Sequence, residues 1–164
     1  MTTMKWITAQ DENEFPGLPI KQVYCWTVTS DKKILIVSKD NHNWQFPGGK
    51  PESSHETIID TVVREVREEA RIDISKFKEN IKIFGYYEVQ EDSHQTTPPY
   101  LQIRTYLLLP IRSEDISYGQ FDVNIFINDS IKFSDNVSIN LAIKKIPWLS
   151  QSEEYLSIKK LSII

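Results

Sequence analysis

Along most of the chain, apolar and polar residues alternate in short runs that are separated by turn-forming residues. This alternation is typical of β-strands with one buried face. We predict four strands with a clear pattern and two with a weaker one, over residues 21–30, 33–39, 81–89, 101–109, 121–127 and 131–133. Ser30-Asp31-Lys32 separates the first two strands, which predicts a hairpin.

Residues 48–72, which we call the glutamate segment, have a different spacing, because apolar residues recur every three or four positions. They form one stripe of a 3.6-residue helix, made of Ile59, Val62, Val63, Val66 and Ala70. The stripe predicts a helix packed against a core, and Ser53 followed by Glu56 predicts a capping box at its start. Further helices are predicted over residues 137–145 and 153–161. A mixed sheet enclosed by helices fits this order of elements.

Composition narrows the class of protein. A chain of 164 residues with 40% apolar and 26% charged residues is typical of one globular domain. The net charge of −4 argues against a general nucleic-acid-binding surface. Cys25 is the single cysteine and is predicted to be a core residue, so no internal disulfide is expected. No apolar run is long enough for a signal peptide or a membrane span, so we expect a cytoplasmic location and no membrane partner.

The acidic residues of the predicted helix suggest a cation site. At roughly 100° per residue, Glu65, Glu68 and Glu69 gather on a strip that is separate from the apolar stripe. Neighbouring solvated carboxylates repel each other by about 0.2–0.5 kcal/mol per pair, and a divalent cation reverses that sign. The alternative is a solvated acidic face that is balanced by nearby arginines, and for an isolated Glu-Glu pair we would favour it.

The residues before the helix favour the cation site over the solvated acidic face. Gly48-Gly49 lies between Phe46-Pro47 and Lys50, and glycines permit positive φ angles and a close backbone approach. The N-terminal dipole of the helix that follows favours an anion in the same region. Together the glycine turn and the carboxylates predict a divalent cation held against a phosphate.

The glutamate segment resembles the signature of the Nudix hydrolases, Gly-x5-Glu-x7-Arg-Glu-U-x-Glu-Glu-x-Gly-U, in which U is a bulky aliphatic residue. The matching residues are Gly49, Glu56, Arg64, Glu65, Val66, Glu68, Glu69 and Ile72. Two positions depart from the signature. Six residues rather than five separate Gly49 from Glu56, and Arg71 replaces a glycine that would end the helix in a left-handed conformation. We expect the extra residue to bulge within residues 52–55 and to leave the carboxylate helix intact.

The resemblance implies an α+β fold, a Nudix-like α/β/α sandwich with a mixed β-sheet and the glutamate helix packed on it, as one domain over residues 1–164. It implies a Mg²⁺ cofactor, for which Mn²⁺ can substitute, with three ligands: Glu65, Glu68 and Glu69. Arg64 corresponds to the residue that holds these glutamates by ion pairing. Glu56 corresponds to a supporting metal residue, although its capping role explains it equally well, and the Gly49 carbonyl is a further candidate ligand.

The general base stays open between a glutamate of the signature and an acid on a later loop. The loop candidates are Glu88, Glu91 and Asp92, of which we choose Glu91. The alternative for each of them is a solvated loop acid. His94 is a second candidate base or substrate contact.

Candidate substrate contacts are less specific than the metal ligands, and they are Gly48, Lys50, Trp44, Phe46, Tyr87 and Arg104. Trp44 and Phe46 are expected either to stack a base or to belong to the core. Tyr86 or Tyr87 stands where family members that act on dinucleoside polyphosphates have a tyrosine. No proline matches the one typical of ADP-ribose hydrolases, which favours nucleoside polyphosphates. Arg104 is expected to face solvent on its alternating strand, with a phosphate clamp as the alternative.

These observations predict a Mg²⁺-dependent hydrolase that cleaves a pyrophosphate bond in a nucleoside diphosphate linked to another group. The alternative is a catalytically inactive Nudix-fold module that binds nucleotides or regulates another process. The expected partner is a small nucleotide-type substrate rather than nucleic acid. The sequence leaves the choice between a monomer and a homodimer open.

Overall fold

The computed structural model describes residues 1–91, 96–116 and 133–164. The strands of this part are β1 (Thr3–Thr8), β2 (Ile20–Val28), β3 (Ile34–Ser38), β4 (Trp44–Gln45), β5 (Gly48–Gly49), β6 (Lys82–Gln90), β7 (Tyr100–Leu108) and β8 (Phe133–Val137). The α-helices are α1 (Ile58–Ala70), α2 (Ile139–Lys145) and α3 (Glu153–Lys160). Short 3-10 helices cover Glu12–Glu14, Ser75–Asn80, Ser113–Asp115 and Leu149–Gln151.

The strands form one mixed sheet in the order β1-β6-β7-β2-β3-β4, with β5 beside β2 and β8 beside β3. β2 and β7 run parallel, while the other described pairs are antiparallel. The predicted hairpin is confirmed, because Val28 of β2 pairs with Ile34 of β3. The strands predicted over residues 81–89 and 101–109 are confirmed as β6 and β7.

Helices cover both faces of the sheet, so residues of both alternating positions are buried. On β2, Val23 and Cys25 pack in the core that contains α1. Trp26 packs in a second core with residues of α2 and α3, and Tyr24 borders it. This two-sided burial is the expected α+β sandwich.

The start of α1 differs from the prediction. Thr57 is the N-cap, and its hydroxyl accepts a hydrogen bond from the Asp60 N–H at 3.0 Å. The predicted capping box at Ser53 is therefore wrong. Glu56 instead accepts from the Glu52 N–H at 2.7 Å, before the helix begins. Of the predicted apolar stripe, three residues are buried and two are partly buried against the same core: Val62, Val66 and Ala70, then Ile59 and Val63.

Three other elements depart from the sequence prediction or lie outside it. The mostly exposed edge strand β1 was not predicted, because its side chains give no clear alternation of burial. Val137 ends β8, and the following helix is capped by Ser138, whose hydroxyl accepts from the Leu141 N–H. The predicted strand over residues 121–127 lies outside the described residues. None of the described helices has the length and apolar character needed to cross a membrane.

Candidate functional site

The three glutamates of α1 lie beside the short glycine strand β5. Glu65 is buried, Glu68 is exposed and Glu69 is partly buried. Glu69 accepts a hydrogen bond from the Gly48 N–H at 3.1 Å. The helix and the glycine strand thus meet through the carboxylates that the signature identifies.

Arg64 connects these carboxylates. Its Nε donates to Glu56 at 2.8 Å, and its Nη1 donates to Glu65 at 2.8 Å and to Glu68 at 3.2 Å. Its Nη2 reaches the Lys50 carbonyl at 2.9 Å. The hydrogen bond with Glu56 is the main cause of the raised pKa of Arg64, so the guanidinium stays charged. Arg64 therefore ties the loop before α1 to the helix.

The two glycines are needed for space rather than for an unusual backbone angle. Gly48 and Gly49 are extended and pair with Tyr24 and Val23 of β2, and no described glycine has a positive φ. The predicted glycine turn is instead a short strand, whereas the predicted close approach is present. A Cβ atom at Gly49 would overlap the Glu65 carboxylate, and one at Gly48 would overlap the backbone of β2.

Burial makes the negative charge of Glu65 and Glu69 costly. Burial raises the pKa of Glu69 to about 8, the Gly48 N–H opposes this, and the charge of Glu65 adds to it. Burial also raises the pKa of Glu65, although Arg64 opposes the rise. In contrast, the hydrogen bond from Arg64 lowers the pKa of Glu56. A cation beside Glu65 and Glu69 would offset their mutual repulsion and the cost of their burial.

The donor set fits a hard divalent cation. Carboxylate and carbonyl oxygens are the ligands that Mg²⁺ prefers, and the three glutamates and the Gly49 carbonyl offer them. In the part of the chain that the structure describes, no three acidic, histidine or cysteine side chains form a ready metal cage. A metal held by all three glutamates would therefore require their side chains to move.

The two departures from the signature leave α1 intact. Arg71 adopts the left-handed conformation that the signature's glycine would take, with φ 58° and ψ 35°, and its N–H bonds to the Arg67 carbonyl at 3.0 Å. The extra loop residue lies before the helix, where residues 52–55 are exposed. The bulge expected within these residues stays a prediction.

A groove with a volume of about 940 Å³ opens on the face of the sheet that carries α2 and α3. Its lining includes Tyr24, Trp44, Phe46, Tyr87, Arg104 and Lys145. Four of the predicted substrate contacts thus line one groove, while Gly48 and the exposed Lys50 lie at the glutamate site instead. Tyr24 joins the two regions, because it pairs with Gly48 and feels charges from both. Burial raises the pKa of its hydroxyl, Arg104 lowers it and Glu69 raises it further.

The prediction that Arg104 faces solvent is wrong, because α3 covers this face of the sheet. Arg104 is only 5% exposed, and its Nε lies 3.0 Å from Oε2 of the fully buried Glu154. The N–H is not directed at that oxygen, so the contact is an ion pair rather than an aligned hydrogen bond. The guanidinium lies over the rings of Tyr24 and Tyr87, at 4.4 and 5.0 Å.

Trp44 and Phe46 belong to the core and also border the groove. Phe46 stacks on Trp26 with ring centroids 4.1 Å apart. Lys145 places its Nζ 4.1 Å from the centroid of the Trp44 ring. Tyr86 lies on the opposite face, against Phe15, so of these two neighbouring tyrosines Tyr87 is the one that lines the groove.

The proposed general base is not brought into the glutamate site by any described contact. Glu91 is exposed, its carbonyl accepts from the Thr2 hydroxyl, and its side chain bonds to Tyr100. Glu88 is partly buried within β6. The other two loop candidates, Asp92 and His94, lie outside the described residues.

Sequence reasoning missed Tyr24 and Lys145, which line the groove, and the buried Glu154, which contacts Arg104. Tyr24 occupies an ordinary strand position. Glu154 follows the cap Ser152 and looks like one of the acids that favour the first turn of a helix. Its burial depends on how α3 packs on the sheet, and no local pattern reports that.

The family model for the NUDIX domain matches residues 19–118, so the chain belongs to the Nudix family. The resemblance seen in the glutamate segment is thereby confirmed. The predicted enzyme class, a Nudix-type pyrophosphohydrolase, is supported at this level. No curated protein sequence matches the chain.

Solved structures show the same fold. The Bacillus subtilis pyrophosphohydrolase BsRppH, in a mutant form, has a TM-score of 0.62 at 20% identity, over 96% of this chain and 89% of that one. A Francisella tularensis bifunctional NMN adenylyltransferase/ADP ribose pyrophosphatase with AMP and a manganese ion has a TM-score of 0.53 at 18% identity, over 91% of this chain and 42% of that one. The NUDIX domain of Shewanella oneidensis NrtR with ADP ribose has a TM-score of 0.50 at 18% identity, over 82% of this chain and 81% of that one.

Proposed function

We propose that the chain is a Mg²⁺-dependent hydrolase that cleaves a pyrophosphate bond in a nucleoside diphosphate linked to another group. The observation that carries this proposal is the contact of Glu65 and Glu69 with the glycine strand, next to a groove with cationic side chains in its lining. A metal there would stand between the buried carboxylates and a phosphate. Mn²⁺ is expected to substitute for Mg²⁺.

In this proposal Glu65, Glu68 and Glu69 hold the metal, with the Gly49 carbonyl as a further candidate ligand. A bound Mg²⁺ supplies charge neutralisation at the phosphate oxygens and acidifies a water molecule. Arg64 keeps the helix and the preceding loop in register through Glu56 and the Lys50 carbonyl. Gly48 stays a candidate substrate contact, and its N–H holds the Glu69 carboxylate at 3.1 Å.

The proton of the attacking water needs an acceptor. A glutamate of the signature is one candidate, and Glu69 at the glycine strand would take this role if Glu65 and Glu68 held the metal without it. Glu91 stays the second candidate, although its described contacts lie with Thr2 and Tyr100.

The groove favours a nucleoside or dinucleoside polyphosphate over ADP-ribose. Its aromatic side chains offer faces for a base, and Arg104 and Lys145 offer positive charge for phosphates beyond the bond that is cleaved. A cytoplasmic location and either a monomer or a homodimer stay predictions.

A panel of nucleoside diphosphate derivatives tests the proposal. The purified protein is incubated with Mg²⁺ and nucleoside triphosphates, dinucleoside polyphosphates, ADP-ribose or nucleotide sugars, and the phosphorylated products are identified by ion-exchange chromatography. We expect cleavage of at least one compound at a pyrophosphate bond, and none when EDTA replaces the metal. Metal binding without any cleavage across the panel would contradict the enzyme assignment.

A catalytically inactive nucleotide-binding module is the second candidate. The observation that favours it is the engagement of Glu65 and Glu68 by Arg64, with no ready metal cage among the described residues. In that case the panel would show binding of a nucleotide without turnover.

A further inference from the structure

The groove differs in charge from the rest of the molecule. The chain carries a net charge of −4, yet none of the described residues that line the groove is acidic, and Arg104, Lys144 and Lys145 are cationic. A surface with this charge favours anions. This inference rests on the proposed function, in which the groove receives the part of the substrate beyond the cleaved bond.

Arg104 is held in one orientation at the floor of this groove. The rings of Tyr24 and Tyr87 lie 4.4 and 5.0 Å from its guanidinium carbon. Stacking of this kind suits the flat guanidinium and restricts its rotation. A side chain that is already ordered loses little entropy when it binds a ligand.

Glu154 contacts Arg104 at the guanidinium Nε. It reaches across from α3, is 0% exposed, and its Oε2 lies 3.0 Å from the Arg104 Nε. Its other oxygen accepts a hydrogen bond from the Trp26 indole N–H at 2.8 Å. Glu154 is therefore held by one hydrogen bond from Trp26 and by the buried ion pair with Arg104.

The terminal nitrogens of Arg104 keep donors for a ligand. Among the described residues, Nη1 donates to the Ile103 carbonyl and Nη2 to Gln102, each at 3.4 Å. Each terminal nitrogen carries two hydrogens, so these long bonds use at most half of them. Because the Glu154 carboxylate lies at Nε, the two terminal nitrogens remain as a pair of donors, and such a pair suits a phosphate.

We propose that Glu154, which lies outside the residues matched by the family model, is a positioning residue that holds Arg104 between Tyr24 and Tyr87 as a receptor for a substrate phosphate beyond the cleaved bond. Arg104 touches the substrate, and Glu154 acts through Arg104.

The test compares Glu154→Gln with the matched control Glu153→Gln, the exposed acid next to it on α3. ATP with Mg²⁺ is the probe, and quenching of tryptophan fluorescence reports binding because Trp44 and Trp148 line the groove. We expect Glu154→Gln to weaken ATP binding about tenfold. Without the Glu154 charge, the Arg104 guanidinium is no longer held in the orientation in which it donates to a phosphate. Binding of adenosine should not change, and Glu153→Gln should match the wild type. With a substrate that is turned over, KM should rise while kcat stays within about twofold.

A double-mutant cycle separates positioning from a purely structural role. In an Arg104→Gln background, Glu154→Gln should weaken ATP binding no further, whereas each change should shift the melting temperature. If Glu154→Gln does not fold, Trp26→Phe removes the N–H that anchors Glu154 while both charges remain, and it should weaken ATP binding about threefold or more.

Three outcomes would overturn the proposal: unchanged ATP affinity in folded Glu154→Gln, an equal loss for adenosine, or an equal loss in the Arg104→Gln background. Failure of ATP to bind the wild type would overturn it as well. Weakened ATP binding in Glu154→Gln, together with no turnover in the substrate panel, would instead reject the proposed hydrolase and leave the role of Glu154 standing.

Discussion

At the scale of single residues, Gly49 and Glu65 are packed so tightly that no side chain fits at position 49 without moving Glu65. The glycine has no unusual backbone angle, and its value lies in the missing side chain, because the Glu65 carboxylate occupies the space of a Cβ atom. The sequence signature marks this glycine as important. The structure gives the reason, which is the position of a metal-ligand candidate.

Gly49→Ala should therefore displace Glu65 and disturb the site. We expect a loss of about 1–3 kcal/mol in the free energy of unfolding, which is typical of overpacking, and a fall in hydrolysis of tenfold or more. Gly17→Ala is the matched control, since a Cβ atom there meets nothing within 4 Å. Urea denaturation and the rate with the best substrate of the panel measure both effects. An active Gly49→Ala with unchanged stability would contradict this account of the glycine.

The protonation of Glu69 should also be visible in stability. Its pKa is about 8 in the folded state and 4.5 in the ordinary reference state, so the folded protein binds a proton more tightly. Between these values the folded state carries the extra proton, so the free energy of unfolding of the metal-free protein should fall as the pH rises from about 4.5 to about 8.

Urea denaturation in EDTA at several pH values measures this slope. Glu69→Gln should reduce it, because the glutamine does not titrate, while the raised pKa of Glu65 leaves a smaller slope of the same sign. Equal slopes in Glu69→Gln and the wild type would show that Glu69 titrates normally.

At the scale of elements, α1 shows what a local pattern can and cannot predict. The apolar stripe predicts the helix and its buried face, because both follow from the 3.6-residue period. The cap is less certain, because several polar residues before the helix can satisfy its first N–H groups. Thr57 takes that position, and Glu56 turns back to the Glu52 N–H and to Arg64.

The cap position can be tested by two alanine substitutions. Thr57→Ala should reduce the free energy of unfolding by about 1 kcal/mol, since Thr57 caps the Asp60 N–H. Ser53→Ala, at the position that the sequence favours, should cost clearly less because Ser53 lies in the exposed loop. Thermal or urea denaturation compares the two. A larger loss of stability in Ser53→Ala than in Thr57→Ala would show that Ser53 caps the helix.

The end of α1 offers a stabilising substitution. Arg71 has φ 58°, a left-handed conformation that costs a non-glycine residue about 1 kcal/mol. Arg71→Gly should therefore raise the free energy of unfolding by up to about 1 kcal/mol. Arg67→Gly, one turn earlier within the helix, should lower it by about 1 kcal/mol. Destabilisation by Arg71→Gly would mean that the arginine side chain makes contacts that outweigh its backbone strain.

At the scale of the whole molecule, the sequence predicts the sheet better than the groove. The β2–β3 hairpin and the strands β6 and β7 follow from alternation, and the glutamate site follows from spacing along one helix. The position of Arg104 does not follow, because a polar residue on an alternating strand looks exposed until a second layer covers it. That layer includes α3, whose Glu154 pairs with Arg104 across 50 positions of sequence.

The same reasoning explains why reaction type and substrate differ in how far the sequence predicts them. The carboxylates that are proposed to hold the metal lie within five consecutive residues, so their relation is local. The groove combines β2, β4, β6, β7 and α2, which only the fold brings together. Specificity is therefore a property of the assembled molecule.

The most direct test of the central claim is the Mg²⁺-dependent hydrolysis rate of Glu68→Gln and Glu69→Gln, measured on the compound that the wild type cleaves best. Glu79→Gln, an exposed acid outside α1, is the control. We expect both variants of the site to lose about 10²- to 10³-fold in rate, since a metal contributes several kcal/mol to the transition state, while the control stays at the wild-type rate. Wild-type rates in both Glu68→Gln and Glu69→Gln would contradict the proposed metal site.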